Sequence, residues 1–135
     1  MEGARSSMKV LRHALTLLIA DDDPGFREHV KRLVEGEAKV QVVGEAADGD
    51  EAVRLARDRR PQVVLMDIGM PRVGGLEAIR RIKAEEPETR IIVVTIHGER
   101  AYRMAAAACG ADGFVLKKTL RSDLLPTIRR IVPEL

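Results

Sequence analysis

Aromatic side chains are almost absent from this sequence, with two Phe, one Tyr and no Trp in 135 residues. Val, Ile, Leu and Ala must therefore build the core. Base stacking, which needs exposed rings, is excluded as the main binding mode. Cysteine is reduced to Cys109, so no internal disulfide can form. Lying late in a helical pattern after Ala105–Ala108, Cys109 is expected to be small and buried. This usage suits a reducing, cytoplasmic setting. Neither sign of charge dominates (23 basic and 21 acidic residues, net +2), a balance too mild to point to nucleic acid. Long hydrophobic runs are missing too, and no segment reaches transmembrane length. Lys9 and Arg12 before the apolar run Leu15–Ala20 loosely imitate a secretion signal. That run is short, ends in Asp21-Asp22-Asp23 and lacks a small-residue cleavage pattern. It reads as a buried strand, which leaves residues 1–13 as a flexible extension and residues 14–135 as one domain.

What is present is aliphatic and charged, at 45% hydrophobic and 33% charged residues, the balance of a globular protein and not of a disordered one. Four nearly unbroken apolar runs, Leu15–Ala20, Val63–Met66, Ile91–Val94 and Phe114–Leu116, match parallel strands covered on both faces. Lys39–Val43, broken by Gln41, suits an edge strand. Helical patterns alternate with them. Phe26, Val30, Leu33 and Val34 share one face, and Asp23-Pro24 supplies an N-cap and first helical position. Asp48 and Glu51 begin a second helix carrying Ala52, Val53, Leu55 and Ala56. Leu76, Ile79 and Ile82 mark a third. Ala101, Met104, Ala105 and Ala108 mark the inner face of a fourth, closed by Gly110. Ser122 is expected to cap a fifth, with Leu124, Leu125, Ile128 and Ile131 inward and Pro126 in its first turn. Strand and helix alternating five times imply an α/β doubly wound fold, a five-stranded parallel sheet in the flavodoxin-like order 2-1-3-4-5. Basic groups at Arg57, Arg59 and Arg60, at Arg80, Arg81 and Lys83, and at Arg129 and Arg130 read as solvated helix faces. An acidic partner surface is the alternative reading.

The chemistry lies at the strand ends. The first strand runs into Asp21, Asp22 and Asp23, the third into Asp67, the fourth into Thr95 and the fifth into Lys117. In an open parallel sheet these ends share one edge, and ligands bind there, at the reversal of strand order. Clustered carboxylates repel one another and need a cation or protons. Oxygen ligands without a His or Cys pattern favour a hard ion, Mg²⁺, over zinc. A carboxylate can attack phosphorus to form an acyl phosphate, with an ammonium and a hydroxyl stabilising the phosphoryl oxygens.

The stretches L-L-I-A-D-D-D-P, V-V-L-M-D-I-G-M-P-R-V-G-G-L-E, I-I-V-V-T-I-H and G-A-D-G-F-V-L-K, in that order, resemble the receiver domain of two-component response regulators. The resemblance runs from about Leu15 to Ile131, with 28 residues from Asp67 to Thr95 and 22 from Thr95 to Lys117. The T-I-H segment resembles the NarL/FixJ branch. The resemblance implies Asp67 as phosphoacceptor, with Thr95 and Lys117 assisting. It implies Mg²⁺ held by Asp21, Asp22, Asp67 and the backbone carbonyl of Gly69, with Asp22 the direct ligand and Asp21 holding water on the metal. Thr95 and Phe114 would form the switch pair. Pro71 and Gly74-Gly75 match the loop after the phosphoacceptor.

It also implies a sensor histidine kinase as donor, a possible homodimer on activation, and transcriptional control exerted through an output domain outside this chain. A free-standing receiver is the alternative. DNA would be reached only through that output domain, and no membrane is expected. The role is a signalling switch and not an enzyme, although the domain would phosphorylate itself from a phosphodonor and slowly lose the group. The sequence departs from the commoner pattern in places. Ile96 is bulky beside Thr95, Lys118 replaces a proline, so the peptide after Lys117 should be trans, and Phe114 lacks a hydroxyl. Asp23 reads as a helix cap, and His97 and Gly69 either flank the phosphoryl group or only shape loops. A metal-dependent phosphohydrolase is disfavoured, since Asp67-Ile68-Gly69 lacks a second acid.

Overall fold

In the computed structural model, which describes residues 14–37 and 39–133, five strands form one parallel sheet. They are β1 (Leu15–Ala20), β2 (Val40–Ala46), β3 (Val63–Met66), β4 (Arg90–Thr95) and β5 (Gly113–Leu116). Their order is β2-β1-β3-β4-β5, as the alternating pattern predicts. The helices between and after them are α1 (Pro24–Glu35), α2 (Gly49–Arg59), α3 (Gly75–Glu85), α4 (Arg100–Cys109) and α5 (Leu120–Ile131). The expected extension over residues 1–13 lies outside the described residues.

The period-2 alternation of strand side chains splits the aliphatic residues into two cores. Leu15, Leu17, Ile19, Val63, Leu65, Ile92, Val94 and Val115 face α1 and α5, where Val30, Val34, Leu120, Leu124 and Ile128 complete a buried cluster. Leu18, Ala20, Val64, Met66, Ile91 and Val93 point the other way, onto Ala52, Val53 and Ala56 of α2, Ala78, Ile79 and Ile82 of α3 and Ala106 of α4. Each fully buried Leu, Ile or Val contributes about 1.5–3 kcal/mol relative to exposure, enough to hold the sheet without aromatic packing.

Side-chain caps set two of the five helix starts. The Asp23 carboxylate accepts from the N–H groups of Gly25 and Phe26, with Pro24 next in line. Asp48 accepts from Glu51 N, and Glu51 Oε1 reaches back to Ala47 N at 2.7 Å. Gly110, at φ 110°, closes α4.

Tertiary contacts override the sequence pattern in four places. Strand β2 starts at Val40 and continues through Gly44, Glu45 and Ala46, beyond the expected Lys39–Val43. The β1 template carries it on past a bulge, where Leu17 pairs with Val42 but Leu18 with Gly44. Gly44 fits because a Cβ there would stand 3.1 Å from Leu18 Cδ1. Helix α5 is not capped by Ser122. A 3-10 turn over Lys117–Thr119 leads directly into Leu120, so Pro126 lies inside the helix and not in its first turn. On α4 the expected inner face is turned outward. Ala106 is buried, while Ala101, Met104 and Ala108 are exposed. Cys109 is only half-buried, and its Sγ lies 3.4 Å from Arg80 Nη2.

The basic clusters find acids within the chain. Arg57 pairs with Glu85, Arg60 with Glu86, Arg80 with Glu77, Arg81 with Asp50 and Glu77, Lys83 with Asp112, and Arg129 with Glu37. Most are exposed and stitch neighbouring helices at about 0–1 kcal/mol each. Among the described residues no peptide bond is cis, so the bond after Lys117 is trans as expected. No helix there is long and apolar enough to cross a membrane.

Candidate functional site

The C-terminal sheet edge collects the expected residues, though the strand ends are stepped. Met66 pairs with Val93, whereas Thr95 pairs with Leu116. Thr95 therefore stands one step further along the edge than Asp67, and Lys117 one further again. Asp21 and Asp67 are level, because Ala20 pairs with Met66 and the Asp67 N–H donates to the Ala20 carbonyl at 2.9 Å. The long lysine side chain spans the stagger. Lys117 Nζ lies 2.7 Å from Asp21 Oδ2 and 3.2 Å from Asp67 Oδ2.

Burial sharpens this electrostatics. Asp21 is 2% exposed and Asp67 8%. Burial, then the like charge of Asp67, pushes the Asp21 carboxyl above the usual range, against the pull of Lys117 and the Asp23 N–H. Burial disfavours the Lys117 charge, but the two carboxylates outweigh it and hold the ammonium pKa above its ordinary value. Asp21 Oδ2 is an orphan in one respect. Its contact with Lys117 is short but poorly aligned as a hydrogen bond, and among the described residues no other group donates one to it.

Asp21, Asp22 and Asp67 bring carboxylate oxygens within 4.8 Å of one another, with Asp22 exposed at the mouth. An all-oxygen set with a buried oxygen lacking a hydrogen bond fits a hard divalent cation such as Mg²⁺. Asp23 points elsewhere, into the α1 cap, as the Asp-Pro pattern predicts.

Gly69 is present at the site through its N–H, which donates to Asp67 Oδ1 at 3.1 Å. Thr95 is fully buried, and its Oγ1 accepts from the His97 N–H at 3.2 Å. Phe114 is half-buried under the Arg103 guanidinium, 4.6 Å from the ring centroid. His97 packs on Tyr102 with ring centroids 4.9 Å apart, and its Nε2 is 3.9 Å from where a Gly69 Cβ would sit. Ile96 turns outward and is 72% exposed. The loop after Asp67 folds tightly onto α3, since a Cβ on Gly75 would lie 2.2 Å from the Asp67 carbonyl oxygen.

Sequence reasoning missed two neighbours of the acidic cluster. Arg27 Nη1 donates to the Asp21 carbonyl at 2.6 Å while its Nε holds Glu45 at 3.0 Å. Phe26, read only as a core position, lies under the Lys117 ammonium at 4.2 Å. Helical periodicity places both correctly on α1, but nothing in it reveals which strand-end group they meet.

A parallel sheet of order 2-1-3-4-5 with three carboxylates, a buried hydroxyl and an ammonium at its C-terminal edge defines a receiver-type α/β domain. The chain belongs to the response regulator receiver domain family, whose model matches residues 17–129. It is 36% identical over 115 residues to the transcriptional regulatory protein YxjL of Bacillus subtilis (strain 168), covering 85% of this chain and 53% of that protein. The chain thus spans about half the length of the curated relatives it matches. The crystal structure of a LuxR-family two-component response regulator from Aurantimonas sp. SI85-9A1 superposes with a TM-score of 0.85 at 37% identity, covering 89% of this chain and 86% of that one. The signal receiver domain of the response regulator NarL from Mycobacterium tuberculosis gives 0.84 at 32% identity, covering 90% and 98%.

Proposed function

We propose that this domain accepts a phosphoryl group on Asp67 and uses it to switch its surface. One observation carries the reading: the Lys117 ammonium bridges Asp21 and Asp67 at the edge where three carboxylates converge. A group placed there meets the nucleophilic carboxylate, a cation aimed at its oxygens and the Thr95 strand end together. In the transfer a new bond forms between an Asp67 carboxylate oxygen and phosphorus. The bond from phosphorus to the donor breaks, and its electron pair leaves with the donor. Lys117 moves from Asp67 Oδ2 to a phosphoryl oxygen, and the Thr95 hydroxyl, which accepts from the His97 N–H, turns to donate its own proton to another. Asp21, Asp22, Asp67 and the Gly69 carbonyl would hold Mg²⁺, which when bound offsets the negative charge of the reacting groups. Asp21 is the more buried of the acidic pair and faces Lys117, which suits a supporting role, while exposed Asp22 suits direct ligation.

Moving the already buried Thr95 side chain toward the phosphoryl group opens space beside Phe114, whose ring then turns inward and leaves Arg103. The donor is a sensor histidine kinase. The readout is transcriptional, through an output domain or a dimer formed on activation, in a cytoplasmic protein. The half-length match to transcriptional regulatory proteins supports this reading. Residues 14–135 act as the receiver unit, with residues 1–13 an appended extension.

Incubation with Mg²⁺ and acetyl phosphate, followed by intact mass measurement, tests the proposal. A gain of one phosphoryl group is expected, abolished in Asp67→Asn. No gain at any Mg²⁺ concentration would end it.

A further inference from the structure

The fold gathers all three Phe and Tyr rings of the chain along the edge that carries Asp67. Tyr102 pairs with His97, Phe114 lies under Arg103, and Phe26 lies under Lys117. Elsewhere the core is aliphatic, so a leucine at position 26 would serve the α1 face as well as a ring does. The ring is distinguished by what it offers a cation.

We propose that Phe26 is a positioning residue for Lys117, its ring face holding the ammonium on the axis between Asp21 and Asp67. The inference rests on the reading of Asp67 as the phosphoacceptor. Lysine ends a flexible four-carbon stem, and ordering it costs rotamer entropy unless contacts on several sides restrain it. Here the carboxylates hold the ammonium at 2.7 and 3.2 Å, and the Phe26 ring centroid lies 4.2 Å away. The aromatic face attracts the cation through its quadrupole. Those same carboxylates are the groups that a divalent cation and a phosphoryl group engage. Once they do, their grip on Lys117 weakens, whereas the uncharged ring, whose neighbour His29 lies to one side at 6.3 Å between centroids, binds neither group and keeps the ammonium close to the incoming one.

Phe26 can do this because it is itself fixed. Its N–H donates to the Asp23 cap at 3.3 Å, next to Gly25 N at 2.9 Å, and its ring packs partly buried against the first core. The Asp-Pro start of α1 thereby sets the height of the ring relative to the ends of β1 and β5.

Phe26→Leu keeps the apolar volume and removes the ring face, and Phe26→Trp restores one. Where the leucine variant fails to fold, Phe26→Met replaces it. Two measurements decide. In the nuclear magnetic resonance spectrum of the wild type, the Lys117 ε-methylene protons should shift upfield by ring current, return to ordinary values in Phe26→Leu, and shift again in Phe26→Trp. At saturating Mg²⁺ the rate of phosphorylation from acetyl phosphate should fall about three- to tenfold in Phe26→Leu. Phe26→Trp should recover most of that loss, with thermal stabilisation by Mg²⁺ unchanged in both. Wild-type Lys117 signals in Phe26→Leu, or a wild-type rate, overturn the proposal, and so does a loss that tryptophan does not rescue. If the wild type itself gains no mass, the phosphoacceptor reading fails and the Lys117 resonances alone decide this one.

Discussion

At the scale of single residues, the site is marked by charge buried where it is unwelcome. Asp21 is nearly inaccessible, shares an ammonium with Asp67 and has an oxygen without a hydrogen bond. Its carboxyl is raised first by burial and then by Asp67. A raised acid contributes stability below its unfolded value of about 3.9, and that contribution is lost as pH rises through the folded value. At neutral pH without a divalent cation the Asp21 charge therefore opposes folding. Asp21→Asn is expected to be more stable than the wild type in metal-free urea denaturation at pH 7. The advantage should shrink as pH falls toward 4, and added Mg²⁺ should stabilise the wild type more than the variant. Equal midpoints at pH 7 without Mg²⁺ would refute this. Asp21 and Asp67 were legible from sequence because acids, Thr95 and Lys117 stand at the ends of four predicted parallel strands, and those ends share one edge. Phe26 and Arg27 were not, because their partners come from other strands.

At the scale of elements, periodicity located the strands and helices, and capping signals fixed the starts of α1 and α2. Asp48 caps α2 through Glu51 N, and this bond is the leading reason its carboxyl is held below the usual range. Asp48 also meets Arg72 at 3.0 Å, tying α2 to the loop after Asp67. Asp48→Ala should cost about 1 kcal/mol in chemical denaturation, as loss of an N-cap does. A change below about 0.3 kcal/mol would mean that the cap is replaced by water. Periodicity failed on α4 for a physical reason. Its second half, Ala105–Cys109, is uniformly small, so spacing does not single out one alanine and packing against the sheet chooses Ala106. At α5 the cap signal failed instead, because the 3-10 turn after β5 starts the helix before Ser122, while Leu124 and Ile128 are buried as their spacing predicts.

At the scale of the whole molecule, the position of Asp67 depends on how closely α3 approaches the end of β3. A Cβ on Gly75 would lie 2.2 Å from the Asp67 carbonyl oxygen and 2.6 Å from Ile68 Cα, both backbone atoms with nowhere to go. Gly75→Ala is expected to cost about 3 kcal/mol, the upper range for overpacking. It should also slow phosphorylation by displacing Asp67 from Lys117. A variant with the wild-type unfolding midpoint would contradict this. Gly49 plays the same part against the Val73 carbonyl, at 2.1 Å, on the neighbouring side of that loop.

The amino-acid order by itself determined the five strand–helix alternations and the order of the strands in the sheet. It also determined which acids, hydroxyl and ammonium stand at strand ends. These are consequences of near-neighbour physics, of period, capping and the parallel crossover rule. Tertiary structure alone decided how far β2 follows β1, which alanine of α4 turns inward and which ring lies beneath Lys117. Each of those depends on atoms brought together from distant positions in the chain, where packing distance and the field of a partner charge set the outcome.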